Sequence, residues 1–157
     1  HLSIRRQRQM CIRDRGYDFS EQVGHLLRKA YQRHTAIFQR YSSDKQLTAI
    51  QFVTLCTVME RGPSSLTDIV NATAIDPATI RGVIKRLKAR GWISLTTDPN
   101  DQRKVMVVIT EPGETLVEGM VPSAKQISDQ TMKNLNPAER VALMHLLEKM
   151  NADSSVT

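Results

Sequence analysis

Cysteine is nearly missing from this sequence: Cys11 and Cys56 are the two in 157 residues. Two thiols far apart cannot form a disulfide framework, and no Cys/His cluster has the spacing of a zinc site. A reducing cytoplasm is the default compartment, and no metal or other cofactor is expected. No apolar run approaches the roughly 20 residues that cross a bilayer, so no membrane partner is expected. Glycine and proline are few, 7 and 6, which excludes a collagen-like chain and argues against a wholly disordered one. The equipment of catalysis is sparse too. Beyond His1, the histidines are scattered at His25, His34 and His145. No nucleophile motif, glycine-rich phosphate loop or placed carboxylate pair is present. No catalytic residue is assigned and an enzyme is not expected, although a triad assembled in space would leave no such motif.

What is present is enough apolar residue, 40%, for one ordinary core, and a formal net charge of +6. The distribution of that charge is more telling than its sum. Residues 1–15 hold five arginines against Asp14, a net +4. They lack an initiating Met, an apolar period and a signal-peptide core. The string at 9–15 looks like translated adapter sequence, so 1–15 is read as a non-native or disordered leader, the alternative being a basic arm that touches DNA phosphates. Residues 76–104 hold Arg81, Lys85, Arg86, Lys88, Arg90, Arg103 and Lys104 against three aspartates, again +4. Residues 111–157 come to −3. One compact basic block therefore sits in a neutral to acidic body, which suits a polyanionic partner.

Apolar residues at gaps of three and four from Phe19 to about Tyr41 predict a long amphipathic helix. Thr48 and Gln51 form a capping box that opens a second helix, with Phe52, Leu55, Cys56 and Met59 as its apolar stripe and Gly62-Pro63 as its stop. A short third helix opens at Ser65, with Asp68 three residues on and a turn at Asn71–Ala74. The fourth has the clearest start: Asp76 as N-cap, Pro77 in the first turn, and Ile75 and Ile80 as a hydrophobic staple. Its inner stripe is Ile80, Val83, Ile84 and Leu87; Ala78, Arg81, Gly82, Lys85 and Lys88 face the other way. The period then changes. Trp92–Thr96 and Val105–Ile109 read as strands around a polar turn at 98–102. Two more helices follow, one from Thr110 with Pro122 as a bend, one opened by Asn136-Pro137-Ala138-Glu139.

Helix, helix, helix, hairpin over 48–110 is the order of a winged helix-turn-helix. The expected fold is mainly α with a small β-hairpin wing, plus a helical dimerisation region. A recognition helix needs an apolar underside and an outer face of donors that enters a major groove. Residues 77–88 offer both. Ala78 and Gly82 permit close approach, and Thr79, Arg81, Lys85 and Arg86 can donate to phosphates or base edges; arginine is well shaped for guanine. Gln102, Arg103 and Lys104 are expected at the wing tip, in the flanking minor groove.

Three motifs carry a family resemblance: Leu47-Thr48-x-x-Gln51-Phe52; Ile75–Thr79 through Leu87-x-x-Arg90-Gly91; and Asp98–Arg103 ending in Ile109-Thr110-x-x-Gly113. With them the chain resembles MarR-family transcriptional regulators over about 17–150. The resemblance implies that Asp101 and Arg103 clamp the wing and present the arginine to the minor groove; Gln102 stands where an arginine is usual. It implies an obligate homodimer joined through its terminal helices. The domains are then 17–46 for the N-terminal dimerisation helix, 47–110 for the DNA-binding domain and 111–152 for the C-terminal dimerisation helices. More narrowly, Tyr17–His34 resembles the first helix of MarR-type repressors of nicotinate degradation, which respond to 6-hydroxynicotinate. That implies a small aromatic acid as effector, in a cleft between the dimer helices and the winged domain, with His25, Arg28, Tyr31, His34, Phe38 and Met59 as candidates.

Each candidate has a plainer reading. His34 is either a donor to an effector carboxylate or a core histidine bonded to backbone. His25 and Arg28 are each read alone as solvated, and Tyr31, Phe38 and Met59 as core. Cys56 is either a peroxide-sensing thiolate or a buried inert thiol; nothing nearby in sequence lowers its pKa. A winged-helix module that binds protein is the remaining alternative, but it predicts a neutral or acidic recognition helix. The expectation is a repressor that binds double-stranded DNA at an inverted repeat as a dimer and is released by the aromatic acid.

Overall fold

The structure is a computed structural model and describes residues 18–152. The leader at 1–15, Cys11 and Tyr17 lie outside the described residues. The described chain falls into two compact units divided between Ala36 and Ile37.

A 3-10 turn, Phe19–Glu21, precedes the first helix, α1 (Val23–Tyr41). Asp18 caps that turn by accepting the Ser20 amide at 2.9 Å. The helical period from Phe19 is thus interrupted at Gln22, which is extended. In the unit up to Ala36, Phe19, Val23, Leu26, Leu27 and Tyr31 are all exposed on the single chain.

The second unit carries α2 (Ala49–Arg61), β1 (Ser64–Ser65), α3 (Leu66–Thr73), α4 (Pro77–Ala89), β2 (Ile93–Asp98), β3 (Asp101–Ile109), α5 (Glu111–Thr131) and α6 (Pro137–Asn151). Each helix of this unit starts on a side-chain cap that accepts one of the otherwise unpaired first-turn amides. Thr48 and Gln51, Ser65 and Asp68, and Asn136 and Glu139 form complete capping boxes; Asp76 and Thr110 cap α4 and α5. The core is Phe38, Leu47, Leu55, Val58, Ile69, Ile80, Val83, Leu87, Trp92, Ile93, Val107, Val117, Met120 and Ile127.

The structure corrects several expectations. The inward stripe of α2 is Gln51, Thr54, Leu55 and Val58, one residue out of step with the expected one. Thr54 tolerates full burial because its hydroxyl donates to the Ile50 carbonyl at 2.8 Å. The turn at Asn71–Ala74 is mostly helix: α3 runs to Thr73 and ends on Ala74 in the left-handed region. The hairpin strands are longer than expected, leaving Pro99 and Asn100 as the turn, with a register shift at Thr97/Asp98. Ser64 and Ser65 add a third strand, pairing antiparallel with Val107 and Met106, so the sheet order is β1-β3-β2. As expected, the helix opened at Thr110 runs as one element past Pro122, to Thr131. No helix among the described residues is long and apolar enough to cross a membrane.

Candidate nucleic-acid interface

α4 divides cleanly by side. At 100° per residue, Ile80, Val83 and Leu87 share one face, and all three are buried. Ala78, Arg81, Lys85, Arg86 and Lys88 occupy the opposite arc and are exposed. Among the described residues none of these four cations is in an ion pair; the two pairs are Arg90–Asp44 and Arg140–Asp129. A Cβ on Gly82 would meet only the end of the Arg86 side chain, at 3.9 Å. The fold does not require glycine there, so the bare backbone at Gly82 is a feature of the outer surface.

Thr79 is less available than its sequence suggests. Its amide donates to Asp76 Oδ1 at 2.9 Å, and its hydroxyl donates to Asp76 Oδ2. The hydroxyl proton is committed to the cap, so Thr79 meets a base as an acceptor only while that bond holds. Asp76 is in turn held below the usual carboxylate range by the Thr79 side chain and then by the Thr79 amide.

The wing differs from expectation in a way that matters. Its tip is Asp98, Pro99, Asn100 and Asp101, and it is acidic. Asp98 Oδ1 accepts the Asn100 amide at 2.8 Å, and Asp101 Oδ1 accepts the Arg103 amide at 3.0 Å. The Asp101 bond therefore holds the Arg103 backbone. Gln102, Arg103 and Lys104 sit behind the tip on β3, and neighbouring strand residues point to opposite faces of the ribbon. Lys104 faces the start of α3. The Asp68 carboxyl is held low first by the Ser65 amide and the Ser65 side chain, and then by the positive charges of Lys104 and Arg61. Arg61, which sequence reasoning passed over, thus joins Lys104 beside α3, whereas the exposed Arg103 is on the other face of the ribbon. The only sequence signal for Arg61 is its place just before Gly62-Pro63.

The candidate effector residues fall in both units. On α1, His25 and His34 are nine residues apart, or two and a half turns, so one helix presents them in opposite directions. His25 lies with Phe19, ring centroids 4.7 Å apart. His34 lies with Tyr31, at 6.2 Å, and burial lowers its pKa. Arg28 is exposed, and Tyr31 is 54% exposed. In the second unit Phe38 is a core residue packed on Phe52 at 5.7 Å, whereas Met59 is 37% exposed and is not core. Burial pushes the half-buried Cys56 thiol up, and Glu60 adds to the shift, outweighing a backbone contact that favours the thiolate. That is the opposite of what a sensing cysteine needs. Among the described residues no group of His, Cys, Asp and Glu is placed to hold a metal. A shallow groove of about 530 Å³ along α5, lined by Val121, Ala124, Lys125, Ser128 and Asp129, includes none of the α4 or wing cations.

Comparison with known proteins agrees with this geometry. The MarR family model matches residues 47–105, from just before α2 to the middle of β3. The chain is 59% identical over 134 residues to the HTH-type transcriptional repressor NicR of Pseudomonas putida, covering 85% of each protein. It is 60% identical to BpsR of Bordetella bronchiseptica, whose structure addresses regulation of DNA binding by 6-hydroxynicotinic acid; the match has a TM-score of 0.80 and covers 87% of this chain and 99% of that one. A variant MarR of Escherichia coli complexed with operator DNA is 25% identical, with a TM-score of 0.75 over 82% of this chain and 93% of that one. With a family model matching the helices and wing and relatives about 60% identical over more than four-fifths of its length, the chain belongs to the MarR family.

Proposed function

We propose that this protein is a transcriptional repressor that binds an inverted-repeat operator as a homodimer and leaves it when a small aromatic carboxylate binds. The observation that carries the reading is the unpaired cationic arc of α4 directly opposite its buried stripe. Each protomer would place α4 in a major groove and the wing in the adjacent minor groove, with half-sites about one turn, roughly 10 base pairs, apart. Ala78, Arg81, Gly82, Lys85 and Arg86 face the bases and phosphates, with Thr79 as an acceptor; Asp101 and Gln102 shape the wing that offers Arg103, and Lys104 approaches the backbone beside α3. Such a protein works in the cytoplasm, beside its DNA.

Dimerisation is favoured by apolar side chains that the single chain leaves open. Val141, Met144, Leu146 and Met150 on α6 are half or more exposed, with Val141 at 73%. Val141 and Met144 lie on one side of the helix and Leu146 and Met150 on the other, and so much apolar surface on one helix is seldom left to solvent. The likeness to NicR and BpsR points to 6-hydroxynicotinate as effector and to aromatic catabolism as the regulated process. Arg28, Tyr31 and His34 span a 120° arc of α1, which suits a carboxylate and a flat ring. His25 lies outside that arc, Phe38 is already buried in the core, and Met59 belongs to α2.

The test is fluorescence anisotropy of the full chain on an operator selected from a random duplex library, with 6-hydroxynicotinate or benzoate added. Specific binding reversed by the pyridine acid supports the proposal. Binding insensitive to every pyridine and benzoate carboxylate removes the effector, and equal affinity for all duplexes removes the operator.

A further inference from the structure

Of the cations in the stretch from Arg81 to Arg90, one is held in an ion pair. Arg90 is the C-cap of α4, its amide donating to the Arg86 carbonyl at 3.1 Å. Gly91 follows at φ +75°, a left-handed conformation that glycine adopts without strain, and the Trp92 amide returns to the Leu87 carbonyl at 3.1 Å. This tight exit sets the Trp92 indole against the Arg90 guanidinium, 3.9 Å from the ring centroid. The other side of the guanidinium donates to Asp44 Oδ2 at 2.8 Å.

Asp44 is not a mobile partner. Its Oδ1 accepts the Gln46 amide at 2.8 Å, and its carbonyl accepts both the Ser42 hydroxyl and the amide of the fully buried Leu47. Ser42 and Ser43 in turn contact the Met120 sulfur, which ties this loop to α5. Burial pushes the Asp44 carboxyl up, but the Gln46 amide, the Arg90 hydrogen bond and charge, and the Leu47 amide outweigh it and hold it below the usual range. The guanidinium is gripped between an anchored carboxylate and a ring, with both charged side chains two-thirds or more buried.

We infer that Arg90 is a positioning residue for DNA recognition: through Asp44 and Trp92 it fixes the C-terminal end of α4 against the loop after α1 and the root of the wing, without touching the duplex. This rests on the operator-binding reading and goes beyond it. Contacts with base edges require hydrogen-bond geometry and fail when a helix tilts, whereas phosphate contacts tolerate small displacements. Loosening Arg90 should therefore cost sequence-specific affinity and leave non-specific affinity in place.

The charge signs give a sharp test. Asp44→Asn removes a negative charge from a protein that binds a polyanion, so electrostatics alone would tighten binding. Arg90→Lys keeps the charge but loses the planar fork and the stacking. Anisotropy titrations of the full chain on operator and on random duplex, at several salt concentrations, read both. The expected result is a loss of about tenfold in operator affinity for each variant, with coupled, non-additive losses in the double variant. Random-duplex affinity should stay within about twofold of wild type, and the salt slope should not change. Thermal unfolding of the same samples establishes that Asp44→Asn, which keeps an oxygen for the Gln46 amide, is folded. Operator binding by Asp44→Asn as tight as wild type or tighter overturns the inference. A salt slope reduced by about one in Arg90→Ala also overturns it, because Arg90 would then be a phosphate contact. If the wild type itself does not prefer operator over random duplex, the operator reading has failed and the inference goes with it; if only the variants match wild type, the inference alone has failed.

Discussion

At the scale of single residues, identity and availability diverge. Arg103 and Lys104 are neighbours of like charge, yet the strand sends them to opposite faces and Asp68 occupies the field of Lys104. Arg103→Ala should therefore weaken operator binding more than Lys104→Ala and should alter preference in the flanking minor-groove bases, as read by affinities for a panel of flank variants. Equal losses at both positions would place both cations at the phosphates. His34 allows a second test. Burial lowers its pKa in the folded protein from 6.5, so the unfolded chain takes up the proton more readily. Its contribution to stability is complete above about 6.5 and is lost as pH falls through the folded value. Thermal midpoints between pH 8 and 5.5 should fall further for the wild type than for His34→Gln; superimposable profiles would show that the folded ring titrates normally.

At the scale of elements, two glycines separate folding from binding. Gly113, in the first turn of α5, is buried against the root of the wing, and a Cβ there would lie 2.1 Å from the Trp92 carbonyl oxygen. That oxygen already accepts the Thr110 amide at 3.0 Å, so neither backbone segment can retreat cheaply. Gly113→Ala should destabilise the protein by about 1–3 kcal/mol or more in urea denaturation. Gly82 behaves oppositely. With an ordinary helical backbone and room for a methyl, Gly82→Ala should stabilise α4 by up to about 1 kcal/mol while weakening operator binding. A stabilised variant with unchanged affinity would show that the duplex does not approach α4 at that point. Local chemistry made these elements readable beforehand. Thr48, Ser65, Asp76, Thr110 and Asn136 announce their helices because caps act within three residues. The two-residue strand at Ser64 leaves no sequence signal because its pairing depends on Val107, and the α2 stripe departs from the apolar pattern because Gln51 and Thr54 are polar yet buried. The Asp44–Arg90 pair spans 46 positions and leaves no periodic trace.

At the scale of the whole molecule, the proposed function depends on two copies of one basic arc meeting one side of a duplex. Sequence made the arc legible because charge and burial alternate on a single helix; the wing tip was less legible because its cations are placed by register rather than by proximity in the chain. Most of the affinity should come from neutralised phosphates and fall steeply with salt, while discrimination should rest on a few α4 side chains. The most direct measurement is hydroxyl-radical footprinting combined with guanine methylation interference on the selected operator, for wild type and Arg81→Ala. Two protected patches on one face of the duplex, about 10 base pairs apart, are predicted, with an interfering guanine in each half-site that no longer matters in the variant. A single patch, continuous protection, or an interference pattern unchanged by Arg81→Ala would contradict the placement of α4 in the major groove.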